Sequence, residues 1–273
     1  MYIDHNLGQY EMKPAFNDAF FDGALTVIRG VLQSVRPRLL QSYGNVRSHY
    51  KSDNSEVTEL DIYVEEELRN ALLAFDGGIG FYGEETGIHG NANTYWLTDP
   101  IDGTIMFIRG LPTCTNMIAL IDDGRPVLSV IYNFVLDEWY QAIAGRGAFL
   151  NGERIQVNAT QELWGAVFAV EVDVRRNNNR DFYATLWDCG VVNLNLVCAG
   201  YEFAHVAAGR IAGRITKDAW AAPYDLAPGV LLVEEAGGYV ATPDRQPYTV
   251  DALDVVVCAH GQLFEELKGA GLI

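Results

Sequence analysis

The tightest constraint on this chain is the stretch Trp96-Leu97-Thr98-Asp99-Pro100-Ile101-Asp102-Gly103-Thr104. A strand-like run from Tyr95 to Thr98 ends at an X-Pro step that keeps Asp99 out of the helical region, and two carboxylates then stand three residues apart. Both can face one pocket. Gly103 permits the sharp turn that follows, and Thr104 is placed to cap a helix running into Ile105-Met106-Phe107, so that backbone N–H groups face the same pocket. Carboxylate oxygens suit Mg²⁺ and N–H groups at a helix start suit phosphate, which sets a hard-cation site beside an anion site. Taken alone, the motif is as compatible with a turn whose Asp side chains only hydrogen-bond the backbone.

The rest of the chain must decide between these. Its 273 residues suffice for one large domain or two smaller ones sharing a core, and 49% hydrophobic with 20% charged residues is an ordinary globular balance. A formal net charge of -17 argues against a general binder of nucleic acid or other polyanions, while small anions remain accessible through bridging cations. Cys114, Cys189, Cys198 and Cys258 form no C-x-x-C pair and have no His at zinc spacing, which fits a reducing, cytoplasmic setting. Asp4 and Glu11 stand where a secretory leader carries basic residues, and the chain reads as neither secreted nor membrane-bound.

Apolar spacing predicts a helix over Pro14 to Leu40, with Phe16, Phe20, Val27, Val31, Val35 and Leu39 on one face and Gly23, Gly30 or Pro37 as candidate breaks. A polar loop over Gln41 to Asn54 carries Lys51 and Asp53. Thr58 and Asp61 have capping-box spacing ahead of a helix with Val64, Leu68, Leu72 and Phe75 inward, so Asp61 reads equally as cap or as site residue. Gly83-Glu84-Glu85 follows a short strand at Ile79 to Tyr82. Three strands of an antiparallel meander come next, at Met117 to Ile121, Val127 to Tyr132 and Glu138 to Ile143. Gly145-Arg146-Gly147 is turn geometry ahead of the hairpin signal Asn151-Gly152.

From about Asn158 strands and helices alternate: strands at Ala166 to Val172, Asn193 to Val197, Ile211 to Thr216 and Val255 to Ala259, helices at Asp181 to Cys189, Tyr201 to Ala208, Asp225 to Ala236 and the C-terminus. The expectation is an α+β half over 1–158, with an antiparallel sheet and most of the carboxylates, and an α/β half over 159–273 that contributes Asp225. Asp225 again reads as a helix cap or a ligand. The five histidines show no partner spacing, so a histidine mechanism is set aside.

In order along the chain, Lys51…Val57-Thr58-x-x-Asp61, Gly83-Glu84-Glu85, Trp96-x-x-Asp99-Pro100-Ile101-Asp102-Gly103-Thr104 and Asp225-x-Ala227-x-Gly229 into Glu235-Ala236-Gly237-Gly238 resemble the inositol monophosphatase superfamily, the Mg²⁺-dependent, lithium-sensitive phosphatases of small metabolites. The resemblance implies a layered αβαβα sandwich of the inositol monophosphatase and fructose-1,6-bisphosphatase type, usually a homodimer, with a pocket between its halves. It assigns Glu84, Asp99 and the Ile101 carbonyl to one Mg²⁺, Asp99, Asp102 and Asp225 to a second, and Glu84 to a weaker third. Thr104, linked to Asp61, activates water, with Glu84 counted among the catalytic groups, and the N–H groups of Gly103 and Thr104 hold phosphate. On the substrate side it points to Gly200 and, counting back from Asp225, to Asp218.

Three positions depart from the family pattern: Ile105-Met106 replace small polar residues, Tyr224 stands before Asp225 where Trp is common, and Gly200-Tyr201-Glu202 replaces Gly-Ser or Gly-Thr. The expected activity is a phosphomonoesterase acting on a polyol or sugar phosphate, inositol 1-phosphate first. Fructose 1,6-bisphosphate, histidinol phosphate and a 3′(2′),5′-bisphosphate nucleotide are the alternatives within the superfamily, and a non-catalytic metal-binding regulatory module is the alternative outside it.

Overall fold

The computed structural model describes residues 13, 16–50, 56–176 and 179–273. Lys51 and Asp53 lie outside these residues, as do Pro14 and the acidic N-terminal positions Asp4 and Glu11. In chain order the elements are α1 (Asp18–Ser42), β1 (Ser48–Tyr50), β2 (Glu56–Thr58), α2 (Glu59–Phe75), β3 (Gly80–Gly83), β4 (Gly87–His89), β5 (Thr94–Asp102), α3 (Thr104–Arg109), β6 (Thr115–Asp122), β7 (Arg125–Asn133), β8 (Glu138–Ile143), β9 (Gly147–Leu150) and β10 (Glu153–Ile155). They continue with β11 (Val167–Val172), α4 (Phe182–Asp188), β12 (Val192–Leu194), α5 (Ala199–Ala207), β13 (Gly213–Lys217), α6 (Pro223–Glu235), β14 (Tyr239–Ala241), β15 (Val255–Cys258) and α7 (Gly261–Gly269).

Five layers follow from which faces are apolar. An eight-stranded sheet of order β10-β9-β8-β7-β6-β5-β3-β4 is buried on both sides, and β6 shows how: Met117, Ala119 and Ile121 face one layer while Ile118 and Leu120 face the other. The first face packs on α5 and α6 through Phe203, Val230 and Leu231, and the opposite face packs on α1 and α2. A five-stranded sheet of order β12-β11-β13-β15-β14 closes the other side of α5 and α6 with Ala169, Val255 and Val257, and α4 and α7 cover its outer face through Phe182, Leu263 and Phe264. The result is the αβαβα sandwich, and its middle helices share one core with both sheets. No helix among the described residues is long and apolar enough to cross a membrane.

Several local expectations are corrected. α1 starts later than predicted, with Asn17 capping it through the Phe20 N–H (3.1 Å), and it runs unbroken through Gly23, Gly30 and Pro37. Gly23 faces the Phe75 ring, so the missing side chain allows α1 to approach α2 instead of ending it. The fully buried stripe is Phe21, Ala24, Ile28, Leu32, Val35 and Leu39, rotated about one residue from the predicted face, because Phe20, Val27 and Val31 pack only at its margin. Part of the expected polar loop is β1, which pairs with β2. The strand predicted at Asn193 to Val197 is the shorter β12, which starts one residue earlier, and β14 was not foreseen.

Candidate active site

β5 does not stop at its proline, as Tyr95–Thr98 alone suggested; it continues to Asp102 through a register shift against β6, where Asp99 pairs with Met117 and Asp102 with Thr115. In a regular strand residues three apart point to opposite faces, so the shift at Pro100-Ile101 is what turns both carboxylates to one side. Asn116 supports the irregularity by donating from Nδ2 to the Pro100 carbonyl. After Asp102 the chain reverses at Gly103, whose φ of 77° belongs to the left-handed region and whose Cβ position lies 2.7 Å from the Thr113 carbonyl, so glycine is required on both counts. α3 then begins at Thr104. Thr104 does not cap it, contrary to expectation; the cap position is Gly103, and the Thr104 hydroxyl is directed backwards, 2.8 Å from the Ile101 carbonyl and 3.1 Å from Asp61 Oδ1.

Asp61 comes from the first turn of α2. Its Oδ2 accepts the Thr58 N–H (2.8 Å) and hydroxyl (2.6 Å), so it serves the capping box with one oxygen and Thr104 with the other. Both readings left open by its spacing therefore apply. Burial pushes its pKa up to about 6, against the opposing hydrogen bonds from Thr58.

Asp225 lies in the first turn of α6, not at its cap. The cap position is Ala222, whose N–H donates to Asp225 Oδ2 (2.6 Å), and Pro223 occupies the first turn where no N–H is needed. Asp99, Asp102 and Asp225 converge, each bringing one carboxylate oxygen within 4.8 Å of those of the other two; among the described residues this is the group placed to hold a metal ion. Glu84 is not one of these three; it stands beside them in the turn after β3, its N–H bonded to the Thr98 carbonyl (3.1 Å) and its charge acting on Asp99 and Asp225. Burial raises the pKa of Asp99 well above the carboxylate range, reinforced by the charges of Glu84, Asp102 and Asp225. Asp225 is raised well above it by burial and by Asp102 and Glu84, and Asp102 is raised by burial against the pull of its hydrogen bonds.

Those hydrogen bonds include one from Gly200. Its N–H, at the start of α5, donates to Asp102 Oδ2 (2.6 Å), beside Ala199 N–H to Oδ1 (3.1 Å), Cys198 Sγ (3.0 Å) and the Thr115 hydroxyl (3.1 Å). Gly200 thus orients an acidic group of the site. Asp218 accepts from Asn179 Nδ2 (2.9 Å) and bonds through its N–H to Asp254 (2.7 Å), and it does not line the cavity that opens next to Asp102 and Asp225.

That cavity, about 250 Å³, is walled by residues that the sequence did not single out: Glu171, Arg214, Trp220 and Asn195, with Glu202 and Cys198 behind them. Arg214 is buried, donating to Glu202 (3.0 Å) and Glu171 (2.5 Å), and it contacts the Thr216 hydroxyl. Glu202 had stood out only as a departure from the family pattern. The signal available for Arg214 was a lone Arg inside the apolar strand Ile211–Thr216, which needs buried acid partners wherever it falls.

The donor set fits Mg²⁺. It consists of hard oxygens alone, and Asp99 Oδ1 is buried with no hydrogen-bond partner, a vacancy that a cation satisfies and a purely structural cluster does not explain. Comparison with known proteins places the chain among phosphatases. An inositol monophosphatase 2 from Solanum lycopersicum is 35% identical over 214 residues, 72% of this chain and 78% of its own, and a histidinol-phosphatase from Chlorobaculum parvum is 37% identical over 192 residues, 69% and 73%. The solved IMPase of Thermotoga maritima superposes with a TM-score of 0.80 at 27% identity, covering 90% of this chain and 94% of that one. The inositol monophosphatase family profile matches residues 17–270, and the chain accordingly belongs to that family and is one of its phosphatases, a phosphoric monoester hydrolase.

Proposed function

We propose that the protein is a Mg²⁺-dependent phosphomonoesterase acting on a small polyol or sugar phosphate, with inositol 1-phosphate the leading substrate. The observation that carries this is the convergence of Asp99, Asp102 and Asp225 around an unpartnered buried oxygen. Asp99, Glu84 and the Ile101 carbonyl would hold one Mg²⁺, Asp99, Asp102 and Asp225 a second, and Glu84 a weaker third. Bound there, the ions supply Lewis acidity toward the phosphoryl group, a source of nucleophilic water, and the charge that keeps the crowded carboxylates ionised.

The protein's own groups do the rest. The Thr104 hydroxyl has one proton and two acceptors in reach; given to Asp61, it leaves an oxygen lone pair to receive a proton from the attacking water, with Asp61 as the eventual base. The N–H groups of Gly103 and Thr104 hold the phosphate. Ala199 and Gly200 keep Asp102 in one orientation. The alcohol that leaves lies in the cavity beside Glu171 and Trp220.

The charge of that cavity discriminates among substrates. Glu171 and Glu202 face one Arg214, a surplus of negative charge that disfavours a second phosphate on the leaving alcohol, as in fructose 1,6-bisphosphate or a bisphosphate nucleotide. A second reading, histidinol phosphate, is favoured by the Trp220 ring at the mouth, 68% exposed, and the half-exposed Glu171 carboxylate, which suit a ring and a cationic amine. We read the working form as a cytoplasmic homodimer, on cysteine usage and on the family resemblance. A phosphate-release screen with Mg²⁺ over inositol, histidinol, fructose and nucleotide phosphates, run beside Asp99→Asn, tests the reading. Release from inositol 1-phosphate that is lost in the variant supports it, and release from none of the panel overturns it.

A further inference from the structure

We propose that Glu65 is a positioning residue that holds the Glu84 turn against the acidic cluster and so sets the affinity of the site for Mg²⁺; the inference rests on the metal-dependent reading above. Glu65 sits on α2, fully buried. A carboxylate buried in this way is costly unless something answers its charge. Its oxygens are answered by two backbone N–H groups, Oε2 by Glu85 (2.8 Å) and Oε1 by Thr86 (2.7 Å), which are the two residues after Glu84.

The Glu84 N–H is itself fixed to the Thr98 carbonyl, next to Asp99 (3.1 Å). The turn between β3 and β4 is therefore gripped from two sides, by β5 at Glu84 and by Glu65 one and two residues later. A neutral amide oxygen could anchor such a turn at one point. A carboxylate that takes both N–H groups fixes its orientation as well.

Gly83 makes the space. A Cβ built there would stand 2.2 Å from the Glu65 carboxyl carbon and 2.3 and 2.5 Å from its oxygens, so any side chain at position 83 would displace the carboxylate. Asp61 lies one helical turn before Glu65, and the two project from the same side of α2. One helix thus delivers a carboxylate to Thr104 and another to the Glu84 turn.

Glu65→Gln keeps the shape but sets an NH₂ group against one of the two N–H donors. Calorimetric titration with Mg²⁺ should show a Kd raised about tenfold, the loss of one charge-assisted hydrogen bond. Turnover should fall at limiting Mg²⁺ and recover as Mg²⁺ is raised, and amide exchange at Glu85 and Thr86 should quicken. Gly83→Ala, which pushes the carboxylate from the other side, should shift Mg²⁺ affinity in the same direction. Because Glu65 acts through Glu84, the double variant Glu65→Gln/Glu84→Gln should bind Mg²⁺ no more weakly than Glu84→Gln. Unchanged Mg²⁺ affinity in both Glu65→Gln and Gly83→Ala, or multiplying losses in the double variant, overturns the inference alone. A wild-type protein that binds no Mg²⁺ overturns the metal reading and this inference with it.

Discussion

Withholding Mg²⁺ and raising the pH should weaken the fold together. Burial raises the pKa of Asp61 to about 6 and raises those of Asp99, Asp102 and Asp225 as well. A carboxyl with a raised pKa keeps its proton longer in the folded chain than in the unfolded one. Stability is therefore intact below the ordinary carboxylate value and is lost as pH climbs through the folded value. For Asp61 the change from 3.8 to about 6 amounts to about 3 kcal/mol by roughly pH 8, and the other three act in the same direction. Cations that bind only the folded, ionised cluster oppose this loss. Two sites at about a hundred times Kd contribute about 5 kcal/mol, which for a chain of this size is roughly 10 °C in Tm. Scanning calorimetry at about pH 4.5 and about pH 8, with Mg²⁺ in excess or withheld, measures it. The metal-free Tm should fall between the two pH values, and the Mg²⁺ shift should appear near pH 8 and almost vanish near pH 4.5. In Asp61→Asn the metal-free decline between these two pH values should be shallower by about 2 kcal/mol, since about 1 kcal/mol of the Asp61 contribution is already lost at about pH 4.5. A decline of equal steepness in that variant, or a Mg²⁺ shift of equal size at both pH values, would refute the reasoning.

Thr104→Val keeps the shape of the helix start but removes the hydroxyl, so kcat should drop about two to four orders of magnitude with KM changed far less. Asp61→Asn should lose a comparable amount and the double variant little more; fully multiplying losses in steady-state kinetics would dissolve the pair. Asp102→Asn and Asp225→Asn should each cut turnover by orders of magnitude at ordinary Mg²⁺ while retaining the fold by circular dichroism, since each removes a charge from the second metal site. Arg214→Met leaves Glu202 buried without its cation and should cost about 3–5 kcal/mol in denaturant unfolding; a loss under about 1 kcal/mol would mean that the pair is not desolvated.

Much of this could be read from the chain because local pattern and tertiary role coincide. The meander over β6, β7 and β8 alternates between two buried faces, and Glu138–Ile143 was bounded correctly from its sequence alone. Asp61 was legible because a capping box has fixed spacing. α1 was harder, since it carries more apolar residues than its buried stripe uses and spacing alone cannot choose between adjacent faces. The bulge in β5 was hidden for another reason: proline signals an interruption but not that pairing resumes after it. Glu65 did leave a signal, a charged residue within the face Leu60, Val64, Leu68 and Leu72. Arg214, Glu202 and Glu171 meet only in space, and no local spacing joins positions so far apart in the chain.

α6 has a second acidic end. Asp225 stands in its first turn, and Glu235 at its last residue accepts the N–H groups of Gly145 (2.7 Å) and Gly147 (2.6 Å) from the turn between β8 and β9. The two lie ten residues apart on one helix, about 15 Å, and Leu226 to Val233 between them are buried throughout. The helix is clamped at that end to a hairpin outside the cavity beside Asp102 and Asp225. Between the two acidic ends the helix is close-packed on both sheets. The helix that presents Asp225 at one end is thus tied at the other to a turn at the protein surface.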